Sequence, residues 1–222
     1  MTTTIIHVMR HGEVNNPDGI LYGRLPGFQL TRRGHMMART VATHLEQQKR
    51  DIVAVIASPL LRAQQTAAPI ARAFNLSVEC DPLLIEVESV FEGVAINANR
   101  WQLAHPRNWK HYIHPFTPSW CEPYSDVVSR MSAALSHALQ QVKGHEAVLV
   151  SHQMPIETLR RFALGQPLPH SPLSRQCSLA SLTSFIFQDN TLVGISYEEP
   201  AAEFLHDAED MNPGASIARI KR

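Results

Sequence analysis

The sequence carries no excess charge of either sign and no long hydrophobic run. Lys and Arg together number 20, as do Asp and Glu, so the formal net charge is zero and gives no general attraction to polyanions. No apolar run approaches the roughly 20 residues that a membrane-spanning helix needs, and the first residues lack the basic and apolar regions of a secretory signal. We therefore expect a cytoplasmic protein that binds neither nucleic acid nor membrane.

Cysteine is also scarce. Cys80, Cys121 and Cys177 are widely spaced, and no Cys-x-x-Cys pair occurs. An odd number of cysteines at such spacing indicates neither a disulfide framework nor a zinc site, and it agrees with a reducing compartment. No segment of the 222 residues has the composition of a linker, so we expect a single domain over residues 1–222.

Strand-like and helix-like segments alternate along the chain, which is the pattern of an α/β fold. The predicted strands cover residues 5–9, 51–57, 77–80, 147–151, 178–187 and 191–198. One helix is predicted to begin with Thr31 as its N-cap, and a second with Ser58 as its cap and Pro59 in its first turn. Two further helices are predicted, one from about Glu122 to Lys143 and one from Met154 to Leu164.

Two segments fall outside this alternation. Residues 94–118 interleave Trp, Tyr and Phe with basic residues and histidines and contain no Asp or Glu, so we interpret them as an inserted cap that helps to collect an anionic substrate. The spacing of the histidines matches no common zinc site, and we expect no metal there. Residues 199–222 are rich in charged residues, and we expect this tail to lie on the surface or to fray.

Basic side chains follow three of the predicted strands at the point where each strand ends. Arg10 and His11 follow the first strand, Arg62 lies in the first helical turn after the second, and His152 follows the strand at 147–151. Ligands of α/β sheets bind beyond the carboxyl ends of the strands, so these side chains predict one pocket, and Gly12 would let the backbone pass close to a ligand. Guanidinium groups bind phosphate oxygens in a fork and an uncharged imidazole can attack phosphorus, so the pocket fits a phosphate ester.

A proton donor is expected from the segment that follows the strand at 77–80. Glu86 and Glu88 both stand among apolar residues, a setting in which a carboxyl group can stay protonated and donate a proton. The residue types alone leave the choice between these two glutamates open.

Several blocks taken together resemble the histidine phosphatase superfamily, also called phosphoglycerate-mutase-like. These blocks are Arg10-His11-Gly12-Glu13, the run from Ser58-Pro59-Leu60 to Ala67, Glu86 ahead of Glu92-Gly93, and Val150-Ser151-His152. The resemblance implies a three-layer α/β fold, with a mostly parallel mixed sheet and helices on both faces. It also implies a phosphohistidine mechanism, in which His11 is the nucleophile, Glu86 is the proton donor and acceptor, and Arg10, Arg62 and His152 hold the phosphoryl group.

The chain departs from the cofactor-dependent mutases of that family at several positions. Residues 14–17 replace Ser-x-Trp-Asn, and Tyr22-Gly23-Arg24 replaces Thr-Gly-Trp, so we expect Tyr22, Gly23 and Arg24 to bind the substrate. Gln153 replaces the glycine that usually follows the Ser-His pair. Glu86 lies one residue nearer to the Glu-Gly pair than is common, which keeps Glu88 as the alternative acid.

Our first interpretation is a phosphatase that needs neither a metal nor another cofactor and acts on a small phosphomonoester metabolite. One alternative is a cofactor-dependent phosphoryl transfer of the phosphoglycerate mutase type, and a second is a non-catalytic phosphate-binding module. The presence of both His11 and Glu86 disfavours the binding module, because a pure binder has no use for a proton donor. The sequence names neither the physiological substrate nor the oligomeric state, and a homo-oligomer stays an option.

Overall fold

A six-stranded sheet forms the centre of the fold in a computed structural model that describes residues 2–95, 97–98 and 121–221. Its strands are β1 (Thr3–Arg10), β2 (Ile52–Ala57), β3 (Val78–Cys80), β4 (Glu146–Ser151), β5 (Leu182–Gln188) and β6 (Thr191–Glu198), in the order β3-β2-β4-β1-β5-β6. Strands β3, β2, β4 and β1 run parallel, whereas β5 is antiparallel to both of its neighbours. The expected mostly parallel mixed sheet is confirmed.

Within the described ranges, four α-helices cover the two faces of this sheet. They are α1 (Arg32–Gln47), α2 (Leu61–Ala73), α3 (Tyr124–Gln141) and α4 (Gln153–Ala163). Val55 and Val150 pack into one core cluster with α1 and α2, whereas Ile56 and Leu149 pack into a second with α3 and α4. Successive strand residues point to opposite faces, so a strand covered on both sides needs the nearly continuous apolar run seen in the sequence.

The start of α1 agrees with the prediction, and the start of α2 does not. Thr31 caps α1, since its hydroxyl oxygen accepts a hydrogen bond from the backbone N–H of Gly34 at 2.9 Å. Helix α2 begins only at Leu61, so Ser58 and Pro59 both precede it and Ser58 is not its N-cap. The hydroxyl of Ser58 contacts His152 instead.

The tail at 199–222 differs from the expected fraying surface segment. A short 3₁₀ helix (Ala202–Asp207) packs Leu205 into the core beside α1 and α2, and Ala208 and Ala218 join the same cluster. Two short parallel strands follow, β7 (Glu209–Asp210) and β8 (Arg219–Ile220). These three apolar residues attach the segment to the domain. They are separated by charged and polar residues, so the sequence shows no hydrophobic periodicity from which their burial could be predicted.

The predicted cap at 94–118 lies almost entirely outside the described residues. Asn97, which is described, donates hydrogen bonds to the backbone oxygens of Met211 and Lys221, both at 2.8 Å. The start of that segment therefore contacts the C-terminal tail. None of the helices in the described ranges has the length and hydrophobicity of a membrane span.

Two glycines allow the loop after β1 to touch the start of α1. A Cβ atom on Gly12 would lie 2.7 Å from the carbonyl oxygen of Gly34, and one on Gly34 would lie 2.2 Å from that of Glu13. We expected Gly12 to let the backbone pass close to a ligand, but in the structure it lets the backbone pass close to that of Gly34. The buried carboxylate of Glu13 reinforces the contact by accepting from Arg33 Nη1 at 2.9 Å and from the backbone N–H of Glu209 at 2.8 Å.

We predict that Gly34→Ala lowers the free energy of unfolding by about 1–3 kcal/mol, because the new methyl group would overlap the Glu13 carbonyl and force the backbone apart. Urea denaturation measures the loss. Gly194→Ala is the matched control, since the nearest atom to its new Cβ would be Ile186 Cδ1 at 3.8 Å. Equal losses in the two variants would contradict the close-contact explanation.

Candidate active site

The carboxyl ends of β1, β2 and β4 meet at one edge of the sheet. Arg10 pairs with Ser151 in the register of β1 and β4, and the backbone N–H of His11 donates to the Ser151 oxygen at 3.2 Å. The backbone N–H of Ser58, just past β2, donates to the Val150 oxygen at 2.9 Å. Three chain segments that are distant in sequence therefore deliver His11, Ser58 and His152 to one place.

A cavity of about 410 Å³ opens at this edge. Its lining includes Arg10, His11, Tyr22, Gly23 and Glu86. Most of the remaining lining residues are apolar, namely Leu21, Val87, Phe91, Cys121, Met154, Pro172 and Met211. The others are the polar or charged residues Ser89, Gln153, Arg175, Asp210 and Asn212. A volume of this size suits a metabolite-sized ligand rather than a free ion alone.

The imidazole of His11 is held as a neutral group. Its Nδ1 lies 2.8 Å from the carbonyl oxygen of Gly12, which can only accept, so Nδ1 carries the hydrogen and the lone pair is on Nε2. Burial lowers the pKa of His11 well below its ordinary value, and the positive charges of Arg62 and Arg10 lower it further. A neutral imidazole with its lone pair on a fixed nitrogen is suited to nucleophilic attack.

The imidazole of His152 is held by Ser58. Its Nε2 lies 2.8 Å from Ser58 Oγ, which also accepts a hydrogen bond from the backbone N–H of Leu60 at 3.4 Å. In the tautomer in which the Ser58 O–H donates to Nε2, Nδ1 carries the hydrogen, and within the described part of the chain this buried atom has no partner. Burial lowers the pKa of His152 well below its ordinary value, so the ring stays uncharged.

Three buried donors around His11 share this lack of an acceptor among the described residues. They are Arg10 Nε, Arg62 Nε and His152 Nδ1. An unsatisfied buried donor costs about 1–3 kcal/mol, so a cluster of them beside a cavity favours the binding of an acceptor there. Phosphate oxygens meet that requirement and also balance the guanidinium charges.

Arg62 is the largest fully buried side chain near the site, with 1% of its surface exposed. Its Nη2 donates to the Gly23 carbonyl at 2.7 Å, and its guanidinium carbon lies 4.8 Å from the centroid of the Tyr22 ring. The first turn of α2 thus projects the guanidinium beneath the loop that carries Tyr22 and Gly23. Both of these predicted binding residues line the cavity.

Arg10 is anchored by Asp210, a residue that sequence reasoning missed. Arg10 Nη2 donates to Asp210 Oδ1 at 2.8 Å, Nη1 lies 2.8 Å from Oδ2, and Nη1 also donates to the Cys177 carbonyl at 2.8 Å. Burial alone would lower the pKa of Arg10, but Asp210 and Cys177 outweigh it and raise the pKa above its ordinary value. The only signal in the sequence was an acidic residue inside a segment interpreted as tail.

Glu86, rather than Glu88, faces the cavity. Burial raises the pKa of Glu86 above its ordinary value, although Oε1 accepts a hydrogen bond from the backbone N–H of Val87 at 2.8 Å. The side chain of Glu88 is 75% exposed and lies 3.5 Å from Arg24 Nη1. Of the two glutamates that the sequence left open, Glu86 is therefore the one that lines the cavity.

Arg24 is not among the described residues that line the cavity, and its side chain contacts the segment that carries Glu86. Its Nε donates to the backbone oxygen of Glu86 at 2.7 Å, and its Nη2 donates to Glu122 at 2.9 Å. Arg130 donates to the backbone oxygens of Leu83 and Ile85 at 2.7 and 2.6 Å and also pairs with Glu122. Two arginines joined by one carboxylate thus fix the backbone that carries Glu86.

The described residues contain no group of three or more His, Cys, Asp or Glu side chains arranged to hold a metal ion. The positive charge at the cavity comes from guanidinium groups, of which Arg10 and Arg175 line it and Arg62 lies behind Tyr22.

Comparisons with known proteins agree on one family. The family model of the histidine phosphatase superfamily (branch 1) matches residues 6–199. An uncharacterised protein of Mycobacterium tuberculosis is 52% identical over 199 residues, which cover 90% of this chain and 98% of that protein. A probable phosphoglycerate mutase GpmB of Yersinia enterocolitica is 33% identical, with 79% of this chain and 82% of that protein covered.

A solved structure shows the same fold. Phosphoserine phosphatase from Entamoeba histolytica, in complex with 3-phosphoglyceric acid, aligns with a TM-score of 0.72 at 22% identity and covers 89% of this chain and 99% of its own.

We predict that Asp210→Ala lowers the free energy of unfolding by about 3–5 kcal/mol, because it leaves the buried charge of Arg10 without its partner. Inorganic phosphate should stabilise this variant more than the wild type, since a bound anion would replace the lost carboxylate. Urea denaturation with and without phosphate measures both effects. Asp207→Ala is the control, because Asp207 is exposed and should change neither quantity. Equal stabilisation of Asp210→Ala and wild type by phosphate would contradict the assignment of Arg10 to the anion site.

Proposed function

The chain belongs to the histidine phosphatase superfamily, and from this membership and the geometry of the cavity we propose that it is a metal-independent phosphatase. Its substrate is a small phosphomonoester, and the reaction passes through a phosphohistidine on His11. The observation that carries this proposal is the cluster of buried donors around a neutral His11 that find no acceptor among the described residues, beside a cavity that is also lined by Glu86.

In the first step, Nε2 of His11 attacks phosphorus in line with the ester oxygen. The P–N bond forms as the P–O bond to the alcohol breaks, and the protonated Glu86 carboxyl gives its proton to the leaving oxygen. Arg10, Arg62 and Nδ1–H of His152 stabilise the charge on the equatorial oxygens. This stabilisation is most of what phosphoryl transfer requires of a protein.

In the second step, water attacks phosphorus from the side that the alcohol has left. The carboxylate of Glu86 takes a proton from this water, the P–N bond breaks, and inorganic phosphate leaves with His11 again neutral. Glu86 returns to its protonated form, which burial favours by raising its pKa. The same carboxyl group therefore serves both steps.

A mutase is the second candidate, because one of the relatives is described as a probable phosphoglycerate mutase. A mutase would have to protect the phosphoenzyme from water and retain a bisphosphate until the phosphate returns. A non-catalytic binding module is disfavoured, since His11 and Glu86 together supply a nucleophile and a proton donor, and a module that only binds phosphate has no use for that pair. The unpaired cysteines agree with a proposed cytoplasmic location.

A panel of phosphomonoesters distinguishes the two enzymatic candidates. Each compound is scored for free phosphate and for positional isomers, with and without added bisphosphate. Phosphate release without isomers is expected. Isomer formation that exceeds phosphate release would contradict the phosphatase assignment in favour of the mutase.

We predict that Glu86→Gln reduces turnover of alkyl phosphates on the order of 10²–10⁴-fold, because an alkoxide needs a proton to leave. Substrates with nitrophenolate as the leaving group need little protonation and should lose much less in the phosphorylation step. Pre-steady-state release of the leaving group measures this difference. Glu88→Gln is the matched control, since Glu88 is exposed beside Arg24 and should show no such dependence. A leaving-group effect in Glu88→Gln alone would mean that Glu88 is the acid.

We also predict that EDTA leaves turnover unchanged, because guanidinium groups rather than a divalent ion neutralise the phosphate. Activity is compared before and after prolonged dialysis against the chelator. Loss of turnover that a divalent cation restores would show that the proposal of metal independence is wrong.

A further inference from the structure

Arg175 is a half-buried cation that the proposed mechanism does not use. It lines the cavity that contains His11 and Glu86. It follows α4 in the chain and is independent of the strand ends that supply the phosphate-binding groups. A positive charge therefore lies at the cavity in addition to the charges that the proposed mechanism assigns to the phosphate.

Arg175 has no carboxylate partner among the described residues. Most arginines of the described ranges form an ion pair, and those that do not are Arg32, Arg39, Arg62, Arg72 and Arg175. Three of these, Arg32, Arg39 and Arg72, are exposed and solvated. Arg62 is assigned to the phosphoryl group, which leaves Arg175 as the arginine of the described cavity lining that forms no ion pair. Burial lowers the pKa of Arg175, although the charge of Glu86 acts to raise it.

Neutral groups hold the guanidinium of Arg175 in place. Nη1 donates to Gln153 Oε1 at 3.2 Å, and Nε donates to His170 Nε2 at 3.1 Å. His170 Nδ1 lies 2.6 Å from the Leu168 oxygen, so Nδ1 carries the hydrogen and Nε2 is free to accept. Burial lowers the pKa of His170, which keeps the ring neutral and able to accept from Arg175.

Gln153 occupies the position at which this chain departs from the family's glycine. Besides contacting Arg175, its Nε2 donates to the backbone oxygen of Asn212 at 2.7 Å. The amide therefore joins Arg175 to the C-terminal segment that forms one wall of the cavity. A glycine at this position would offer no such contact.

The chemistry around Arg175 favours a singly charged group. The phosphoryl site uses Arg10, Arg62 and a histidine donor, whereas Arg175 is a single guanidinium held by the neutral side chains of Gln153 and His170. The lining of the cavity also includes the apolar residues Met154 and Pro172. Desolvation by burial lowers the pKa of Arg175, and an anion bound there would offset that penalty. The planar fork of a guanidinium matches the two oxygens of a carboxylate.

We infer that Arg175 is a specificity residue that binds a carboxylate at the far end of the substrate from its phosphate. The inference rests on the proposed function and narrows it to phosphomonoesters of carboxylic acids. The mostly apolar walls of the cavity suit a compact carbon skeleton between the two anionic ends.

The test uses matched substrates of two kinds. ω-Carboxyalkyl phosphates with one to four methylene groups are compared with n-alkyl phosphates of equal carbon number, which covers different distances between phosphate and carboxylate. The wild type should prefer the best carboxylated member over its alkyl partner by about 10-fold or more in kcat/KM, as expected for a hydrogen-bonded charge pair. Arg175→Gln should remove most of this preference and change kcat/KM for the alkyl phosphates less than about threefold.

Two further variants complete the design. Arg72→Gln makes the same substitution at an exposed arginine on α2 and should leave the preference intact. Arg175→Lys keeps the charge but loses the fork, so an intermediate preference is expected, and it provides a second readout if Arg175→Gln fails to fold. Equal losses for both substrate kinds in Arg175→Gln would overturn the inference, because Arg175 would then act on the common chemistry at Glu86. No preference in the wild type would overturn it as well.

Equilibrium binding separates this inference from the proposed function. If no phosphomonoester is hydrolysed, the phosphatase proposal fails, but calorimetry with the same compounds still tests Arg175. Tighter binding of the carboxylated compounds by wild type than by Arg175→Gln would support the inference. Equal binding by the two proteins would refute it.

Discussion

The burial of Arg10 and Arg62 beside His11 is the constraint on which the rest of the structure depends. Both guanidinium groups are almost fully removed from solvent, where an unbalanced charge is costly. Their charges help to lower the pKa of His11, and this keeps the imidazole neutral, as the proposed attack on phosphorus requires. The same charges need partners. Asp210 pairs with Arg10, whereas Nε of both arginines has no partner in the described part of the chain, which agrees with the proposed binding of a phosphate there.

This electrostatic arrangement explains why distant parts of the chain converge on the cavity. The C-terminal tail carries Asp210 to Arg10, and Glu13 holds both the tail and the start of α1. On the opposite side, Arg24 and Arg130 fix the backbone around Glu86 through Glu122. Each site residue is thus held by contacts that do not involve a ligand, so little reorganisation is needed when the substrate binds.

The sheet and the strand-end residues could be predicted because they follow local rules. Apolar, β-branched runs that end in Arg10, His11 and His152 specify both the strands and the edge at which those side chains meet.

The partners of these residues could not be predicted. Asp210 lies 200 positions from Arg10, and no periodic pattern links a buried carboxylate in an irregular segment to a strand end. Ser58 was wrongly predicted to cap α2, and the contact of Arg24 with the Glu86 backbone was not predicted, because both residues make their contacts across the fold rather than within one element.

The central claim is that His11 carries the phosphoryl group on Nε2, since Nδ1 is committed to the Gly12 carbonyl. The most direct measurement is rapid mixing with substrate, an alkaline quench that preserves phosphohistidine, and mass spectrometric mapping, followed by ³¹P NMR to distinguish the two phosphohistidine isomers. The account predicts one labelled residue, His11, phosphorylated on Nε2. Label on another residue, or on Nδ1 of His11, would contradict it.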